Sequence, residues 1–301
     1  QLFNRFATYN GSSPYLTSGI MSIIQHLEHD LGVFMPKKGI SDISYSLYNL
    51  AKDLGVKFHF NSEIDKILIK DQSAVGVLVN KTIHSADIVI SNMDINLTYD
   101  RLLKEYKKPF FIKNYQPSSS ALVFYWNMNL TFSNLNVHNI IFSKDQEKEF
   151  DYIFNKKTIC SDPTIYICST SKIVKEDAPA SCENWFILIN SPFDNGQDWE
   201  KIKKDLRCNI IEKINSTLDS DIEGNIVGEK ILTPVDIEIE TLSKFGSLYG
   251  SSSNSLISAF VRHPNFSKNI NNLYFCGGSV HPGGGIPLCL NSAKIVSDLI
   301  K

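Results

Sequence analysis

The order of apolar and polar residues predicts a helix followed by short strands in the first third of the chain. In Gly39–Gly55, apolar residues recur at spacings of three and four, which is typical of an amphipathic helix, and the final Gly is suited to end it. Short β-branched segments bounded by turn residues then predict strands at Val56–Phe60, Glu63–Lys70, Ala74–Asn80 and Ala86–Asn92. A helix combined with strands in this order indicates an α/β arrangement.

Longer apolar segments in the middle of the chain predict a second arrangement. Strands are expected at Ser119–Leu130, Thr164–Ser171 and Asn184–Phe193, together with one amphipathic helix at Asp198–Leu218. This pattern indicates an antiparallel sheet covered by a helix, inserted into the first domain. The fold class is therefore α/β with an α+β insertion.

The C-terminal part of the chain returns to the first pattern, with a buried strand at Leu273–Gly278 and a helix at Ile286–Ile300. The stretch between and around them, CGGSVHPGGGIPLCL, holds five of the 16 glycines of the chain. Glycine lacks Cβ, so a ligand can approach the main chain closely there. Pro287 suits the first turn of a helix, and the free N–H groups of a helix start favour negative charge.

Two interpretations of this glycine turn remain open from the residues alone. It is either a cofactor site or a tight strand-to-helix connection without a ligand. No Lys-Ser/Thr pair follows the glycines, so a phosphate-binding loop of the nucleotide-hydrolase type is not indicated. His281 is a candidate ligand or base, but no second His or carboxylate stands at a useful spacing, so no metal site is expected.

The composition excludes some classes of protein. The 301 residues carry a net charge of −2, which gives no electrostatic support for a nucleic-acid partner. The six Cys lack CxxC spacing and are scattered, which favours a reduced cytoplasmic compartment over a disulfide framework. An apolar content of 43 % without a run of 18 apolar residues predicts a globular protein without a membrane-spanning helix.

Segments in several parts of the chain together resemble the carotenoid desaturase family, which comprises the phytoene desaturases and phytoene dehydrogenases. They appear in the order of that family. The segments are FATYNGSSPY (Phe6–Tyr15), GVFMPKKGISDISYSL (Gly32–Leu47), ADIVISNMD (Ala86–Asp94) and RHPNFSKNINNLYFCGGSVHPGGGIP (Arg262–Pro287). The resemblance covers nearly the whole chain.

The resemblance implies a glutathione-reductase-like FAD domain, present in part, with an inserted antiparallel-sheet substrate domain. The implied assignment is a substrate-domain segment at 1–32, an FAD-domain segment at 33–94, the substrate-binding domain at 95–255 and a C-terminal FAD-domain segment at 256–301. The family's GxGxxG turn, with its acidic partner for the ADP half of FAD, is absent. We therefore expect the chain to correspond to the C-terminal portion of such an enzyme.

The resemblance also implies which residues hold the FAD cofactor. Ile64 matches the position that meets adenine through its main chain, although core packing explains an Ile there equally well. Asn92 lies at the carboxyl end of a strand, where open α/β sheets bind ligands. Lys38 departs from the family, replacing the first of two adjacent Gly. The implied residues of the turn are Gly277, Gly278, Ser279, Pro282, Gly283, Gly284, Gly285, Ile286 and Pro287.

The implied activity is desaturation of a lipophilic polyene in carotenoid biosynthesis, in which FAD accepts a hydride from one carbon and a proton leaves the next. The substrate is either phytoene-like or a hydroxycarotenoid desaturated at its 3,4 position. A substrate of this kind resides in the bilayer, so we expect peripheral contact with the cell membrane. Arg5 and His281 are candidates for steering charge or protons, and a structural ion pair is the alternative for Arg5.

Aromatic residues are candidates for the lining of a tunnel for such a substrate, and core packing is the alternative for them. The candidates are Phe3, Phe6, Tyr9, Tyr15, Phe124, Tyr125 and Trp126.

Two other classes of function stay open from the sequence. An amine oxidase shares the FAD fold but needs an aromatic cage beside the flavin, and HPGGGIP places none there. A fragment unable to bind a cofactor would act only by association. A GxGxxG motif upstream in the reading frame would exclude this second possibility, a fragment that cannot bind a cofactor.

Overall fold

The computed structural model describes residues 1–113, 115–254 and 261–301, and these form two compact units. Unit 1 comprises Gln1, Ser22–Phe58 and Ala121–Thr233, and unit 2 comprises Leu2–Met21, His59–Ser120 and Pro234–Lys301. The sheet-bearing part of unit 1 is therefore inserted between two segments of unit 2. The predicted boundary at residue 255 falls outside the described residues, and the assignment of segments to cofactor and substrate domains stays a prediction.

The secondary structure mixes helices and strands, as the sequence predicts. The helices are α1 (Ser22–His26), α2 (Ser41–Asp53), α3 (Ile95–Leu97), α4 (Phe110–Lys113), α5 (Gln146–Asp151), α6 (Trp199–Leu218), α7 (Pro234–Thr241) and α8 (Ile286–Ile300). The strands are β1 (Lys66–Lys70), β2 (Ser73–Val79), β3 (Thr82–Ser85), β4 (Val89–Ser91), β5 (Ser120–Met128), β6 (His138–Ile141), β7 (Ile165–Cys168), β8 (Glu183–Ser191), β9 (Ile226–Leu232) and β10 (Leu273–Phe275).

Unit 1 is built on a five-stranded sheet with the strand order β6-β7-β8-β5-β9. The pairs β6–β7, β7–β8 and β5–β9 are antiparallel, which confirms the predicted antiparallel arrangement for these strands. Alternate residues of β8 are buried, as expected for a strand with one face on the core. The core cluster combines this sheet face with Leu206, Ile210, Ile211 and Ile214 of α6.

Helix α6 begins and ends close to its predicted limits because both ends carry suitable residues. The side chain of Asp198 accepts a hydrogen bond from the main-chain N–H of Lys201 at 3.0 Å, which caps the helix start. Asp219 adopts a left-handed conformation with φ +50° at the other end. The four buried Leu and Ile side chains lie at spacings of one, three and four, so one face of the helix covers the sheet.

The prediction of a strand at Val56–Phe60 is wrong. Helix α2 ends in a glycine motif, in which Gly55 has φ +85° and the N–H of Val56 donates to the carbonyl of Ala51. The ring of Phe58 then packs 4.7 Å from the ring of Tyr48 on the same helix. The segment therefore contacts the helix it follows instead of pairing with a strand, and no residue of α2 itself is buried.

Three strands were not predicted because their sequences lack a clear apolar alternation. Strand β3 is exposed at every position, and β6 and β9 are at most half-buried. The β2–β3 connection is a two-residue turn in which Asn80 and Lys81 both have positive φ, +47° and +66°. A turn of this kind fits the twist of a hairpin and brings β3 into the sheet without a hydrophobic signal.

Unit 2 contains a three-stranded antiparallel sheet, β1-β2-β3, and a short parallel pair, β4 and β10. Its core consists of apolar residues from both sheets and from the segments that follow β4. A Cβ at Gly76 in β2 would lie 2.2 Å from the carbonyl oxygen of His84, so only glycine fits at this crossing of two strands. The core side chains are Ile67, Ala74, Val89, Ile95, Tyr99, Leu102, Leu103, Ile112, Ile270, Leu273, Phe275 and Val280.

His263 is a buried histidine packed against this core, with its ring centroid 4.9 Å from that of Phe275 and 6.1 Å from that of Tyr99. Burial lowers the pKa of His263 from 6.5 to about 4. Between these two pH values the unfolded chain binds a proton that the folded chain does not. The free energy of unfolding should therefore fall as the pH decreases from 6.5 to 4, by on the order of 3 kcal/mol.

Denaturant unfolding of the parent and of His263→Gln at pH 7 and at pH 4.5 checks this pH dependence. The variant should lose less stability on acidification than the parent. His84→Gln, at an exposed position, is the matched control and should keep the parent's pH dependence. An identical loss of stability in His263→Gln and parent would show that His263 does not cause it.

Candidate functional site

The glycine turn begins where two parallel strands end side by side. Strand β10 pairs with β4 in the register Leu273↔Val89 to Phe275↔Ser91, and the N–H of Cys276 donates to the carbonyl of Ser91 at 3.0 Å. Because parallel strands share an edge at which their carboxyl ends meet, the turn and the residue after β4 emerge together. The predicted strand ends are thus combined into one candidate site.

Asn92 is the residue that follows β4, and it lies directly against the start of the turn. Its side-chain oxygen is 3.4 Å from the sulfur of Cys276, which donates to it. A Cβ at Gly277, where φ is +110°, would stand 3.0 Å from the same oxygen. The predicted residues Asn92 and Gly277 are therefore brought together. The positive φ and the short distance to Asn92 favour glycine at position 277.

Two buried polar side chains hold the turn onto helix α8. The hydroxyl of Ser292 accepts hydrogen bonds from the N–H of Gly277 at 3.1 Å and from Nδ2 of Asn265 at 2.9 Å. Nδ2 of Asn265 also donates to the carbonyl of His281 at 2.8 Å. Ser292 is fully buried and Asn265 is 3 % exposed, so these bonds are shielded from water and fix both limbs of the turn.

The start of helix α3 is fixed to the other side of the turn. The hydroxyl of Ser279 accepts from the N–H of Ile95 at 2.9 Å, and the carboxylate of Asp94 accepts from the N–H of Asn96 at 2.8 Å. Burial raises the pKa of Asp94, and its hydrogen bonds to backbone N–H groups act in the opposite direction. The predicted residue Ser279 thus uses its hydroxyl to join the turn to the segment after β4.

The start of helix α8 is open. Gly285 has φ +98°, and a Cβ there would meet no atom within 4 Å. Gly285, the residue before the helix, has no side chain with which to cap it, and Pro287 in the first turn has no N–H to satisfy. The free N–H groups and the positive end of the helix fit a ligand group that accepts hydrogen bonds or carries negative charge. The pyrimidine end of a flavin has that chemistry, so the residues present fit the implied cofactor.

The other predicted site residues lie in different surroundings. Ile64 is half-buried and packs against the core of unit 2, so core packing accounts for it and contact with adenine stays a prediction. The guanidinium of Arg5 stands 4.4 Å over the ring of Phe6 and donates to the hydroxyl of Tyr9. This contact stabilises the pair of rings, and a structural ion pair of Arg5 stays a prediction. The side chain of His281 is exposed.

The predicted aromatic tunnel residues divide into two sets. Phe124 and Trp126 are fully buried in the core of unit 1, and Phe6 is 4 % exposed, so none of the three presents a surface to a ligand. Their packing is that of core residues and does not support a lining role. The exposed candidates are Phe3, Tyr9, Tyr15 and Tyr125.

Tyr125 belongs to an aromatic row across the face of the five-stranded sheet that is opposite the core. Because it alternates with Phe124 and Trp126, it points away from the core. Its ring centroid is 5.4 Å from that of Phe186 on β8, which is 6.3 Å from that of Tyr166 on β7. At the end of the row, Nδ1 of His138 on β6 is 2.7 Å from the hydroxyl of Tyr166.

Several residues that hold the site together were not predicted from the sequence. Asn265 stands in the RHPNF segment that resembles the family, and Ser292 lies in the predicted helix α8. Their positions in segments that the sequence identifies could have indicated a role near the turn. The identity of their hydrogen-bond partners could not be read from the sequence. Several of their partners are main-chain groups of the turn, which the sequence does not reveal.

Solved oxidoreductase structures share this fold. An oxidoreductase from Methanosarcina mazei matches with a TM-score of 0.65 at 14 % identity, over 99 % of this chain and 64 % of that chain. Cyclohexylamine oxidase from Brevibacterium oxydans matches with a TM-score of 0.52 at 11 % identity, over 100 % of this chain and 64 % of that chain. At these identities the likeness shows the fold alone.

Curated relatives match the sequence along its whole length. A 1-hydroxycarotenoid 3,4-desaturase from Flavobacterium sp. is 52 % identical over 300 residues, which cover 100 % of this chain and 62 % of the relative. A 4,4'-diapolycopene oxygenase from Methylomonas sp. is 32 % identical, over 100 % of this chain and 61 % of the relative. A 4,4'-diaponeurosporene oxygenase from Staphylococcus haemolyticus is 31 % identical, over 98 % of this chain and 60 % of the relative.

The resemblance of this chain to the carotenoid desaturase family is thereby confirmed, and it extends from one end of the chain to the other. The chain spans about three fifths of the length of the curated relatives it matches. No family model matches the chain. Among the described residues, no helix is both long enough and apolar enough to cross a bilayer.

Gly284 tests whether the turn depends on close backbone packing. A Cβ at Gly284 would lie 2.8 Å from Cδ1 and 3.1 Å from Cα of Tyr249. Gly284→Ala should therefore lower the free energy of unfolding by about 1–3 kcal/mol, because the main chain of Tyr249 cannot easily move. Gly19→Ala is the matched control, since its Cβ would meet nothing within 4 Å. Equal urea midpoints for the two variants would contradict this packing.

Proposed function

We propose that this chain is part of an FAD-dependent oxidoreductase that desaturates a carotenoid, and that the substrate is a hydroxylated carotenoid. The observation that carries the proposal is the open, uncapped start of α8 behind a turn of family-like glycines. It occurs in a chain 52 % identical to a relative named as a 1-hydroxycarotenoid 3,4-desaturase. The amine oxidases among the solved structures share the fold only.

The glycine turn from Gly277 to Pro287 would hold the flavin ring and the chain attached to it. The start of α8, with Gly285 as its open position, would face the pyrimidine end of the ring. Asn92 lies at the adjoining strand end, where it would contact the same group. When bound, FAD supplies the chemistry of hydride acceptance from a C–H bond.

The protein's own residues orient the ring and keep water away from it. Asn265 and Ser292 hold the two limbs of the turn through buried hydrogen bonds, which limits motion at the ring. Ile286, Leu288 and Leu290 at the start of α8 are between 39 % and 52 % exposed. Apolar side chains at this position would exclude water once a ligand covers them.

The aromatic row on unit 1 has the chemistry expected for contact with a conjugated polyene. Tyr125, Phe186 and Tyr166 present ring surfaces at centroid separations of 5.4 and 6.3 Å. The hydrogen-bonded pair of His138 and Tyr166 forms its polar end. A hydroxyl group on the substrate would bind there, which is why we favour a hydroxylated carotenoid over phytoene.

Peripheral contact with a bilayer stays a prediction. It follows from the lipophilic nature of the proposed substrate, which resides in the bilayer.

The proposal is tested with the protein expressed from its complete reading frame and purified in detergent with FAD. The parent should show a flavin band of about one equivalent per chain. In Gly285→Ala the new Cβ would occupy the open space before α8, so we expect the FAD dissociation constant to rise at least about tenfold, equivalent to about 1.4 kcal/mol. Gly196→Ala is the matched control, because Gly196 also has positive φ, +82°, and open space around it.

Mass spectrometry of the carotenoid after turnover separates the proposed reaction from its neighbours. A product lighter by two hydrogens supports desaturation, while incorporation of oxygen would favour the oxygenase activity named for other relatives. A colourless parent protein that does not respond to added FAD would overturn the proposal. So would equal FAD affinity in Gly285→Ala and Gly196→Ala.

The aromatic row gives a separate prediction. Tyr125→Ala should raise the KM for the polyene several-fold, since the loss of one aromatic contact is worth about 1 kcal/mol. FAD content should stay at the parent's value. Tyr45→Ala removes a tyrosine that is 66 % exposed on α2 of the same unit, and it should leave KM unchanged. Steady-state kinetics with a hydroxycarotenoid in detergent measure both, and an equal KM for the two variants would contradict a role for the row.

A further inference from the structure

Arg262 is a buried charge that none of the roles described so far explains. It is 8 % exposed, and its hydrogen bonds among the described residues go to main-chain carbonyls rather than to a carboxylate. Burial lowers the pKa of Arg262, yet a guanidinium remains protonated inside proteins. A positive charge buried without an opposite charge is costly, so its retention calls for an explanation.

The partners of Arg262 come from two separate parts of the chain. Nη1 donates to the carbonyl of Tyr249 at 3.0 Å and to that of Gly278 at 3.4 Å, and Nη2 donates to the carbonyl of Ser251 at 3.1 Å. The planar guanidinium thus joins the loop at 249–251 to the glycine turn. Lys could not reproduce this, because a single ammonium group cannot span the same set of acceptors in a fixed geometry.

The side chain of Arg262 also lies directly behind the second half of the turn. A Cβ at Gly283, where φ is +139°, would stand 3.1 Å from Nε and 3.3 Å from Cζ of Arg262. The guanidinium therefore bonds to the carbonyl of Gly278 and fills the space that a side chain at position 283 would need.

We propose that Arg262 is the positioning residue of the glycine turn. We propose further that its buried charge, which has no carboxylate partner among the described residues, favours the more negative, reduced state of a flavin held there. This inference rests on the proposed function. A hydride carries two electrons and one proton, so its acceptance adds one negative charge to the ring, while the second hydrogen of the substrate leaves as a proton to water. A buried positive charge behind the turn stabilises that added charge, because a medium of low dielectric screens it weakly.

Two substitutions separate the geometric role from the electrostatic one. Arg262→Met keeps the length and apolar stem of the side chain but removes the charge and the hydrogen bonds. Arg262→Lys keeps the charge but loses the spanning geometry. Arg101→Met is the control for the loss of one Arg charge, since Arg101 is exposed.

The measurements are made on the flavin-loaded protein: the FAD dissociation constant and the two-electron midpoint potential of the bound flavin. In Arg262→Met the equilibrium for reduction should become at least about tenfold less favourable, a decrease of about 30 mV in midpoint potential. Arg262→Lys should keep the parent's potential and bind FAD about tenfold more weakly. Arg101→Met should match the parent in both quantities.

Each other outcome overturns part or all of the inference. A parent-like potential in Arg262→Met would exclude the electrostatic role, as would equal decreases in Arg262→Met and Arg262→Lys, because geometry alone would then explain the shift. Parent-like FAD affinity in Arg262→Lys would exclude the positioning role. If Arg262→Met does not fold, Arg262→Lys still tests the positioning role through its FAD affinity. Since Arg262→Lys keeps the positive charge, a lowered midpoint potential in this variant would exclude the electrostatic role.

Failure of the proposed function gives a different result. If the parent itself binds no flavin, the electrostatic claim falls with the proposed function. The positioning claim is then decided by unfolding of the flavin-free protein, in which Arg262→Lys should have a lower urea midpoint than Arg101→Met. Equal midpoints would exclude it.

Discussion

The parallel pairing of β4 with β10 is the interaction on which the candidate site depends. Only three residues on each strand pair, yet they join Val89–Ser91 to Leu273–Phe275 across most of the chain. Parallel pairing places the two carboxyl ends at one edge, so the segment with Asn92 and the glycine turn leave the sheet together. Without this pairing the glycines would form a turn with nothing opposite it.

Buried polar contacts, rather than a large apolar core, define the surroundings of that turn. The N–H of Ser253 donates to the hydroxyl of Ser12 at 2.8 Å, and the N–H of Ser118 donates to the carbonyl of Gly250 at 2.8 Å. A Cβ at Gly250 would then stand 2.9 Å from Cα of Ser279 in the turn. Small side chains let three separate segments approach closely, and their hydrogen bonds offset the cost of burying polar groups.

A conflict between rigidity and accessibility is resolved by dividing the turn into two parts. Its first part is enclosed, with Gly277 against Asn92 and Gly278 bonded to Arg262. Its last part, at Gly285, faces open space in front of a helix without a cap. A ligand bound at the open end would therefore rest on a backbone whose geometry is set from behind, which is the arrangement that precise positioning of a cofactor requires.

The long periodic segments were predictable from sequence, and the short ones were not. Helix α8 begins and ends at the predicted residues, and α6 differs from its prediction by one residue, because apolar periodicity over many residues is a strong signal. Val56–Phe60 has the alternation of a strand but contacts α2 instead. Strand β3 is fully exposed and owes its place to the turn at Asn80 and Lys81. Tertiary context decides such cases because few apolar contacts favour either outcome.

The sequence by itself determined the family resemblance, the long elements and the glycine turn as the candidate site, because residue identity and spacing carry those properties directly. Only the tertiary structure decided that Phe124 and Trp126 are core residues while Tyr125 faces outward. It alone also showed that Arg262 and Asn265 hold the turn. The groups of the turn that accept these two bonds are main-chain carbonyls, which every residue possesses. A hydrogen bond to such a group depends on where the backbone lies and leaves no trace in the identity of the residue that accepts it.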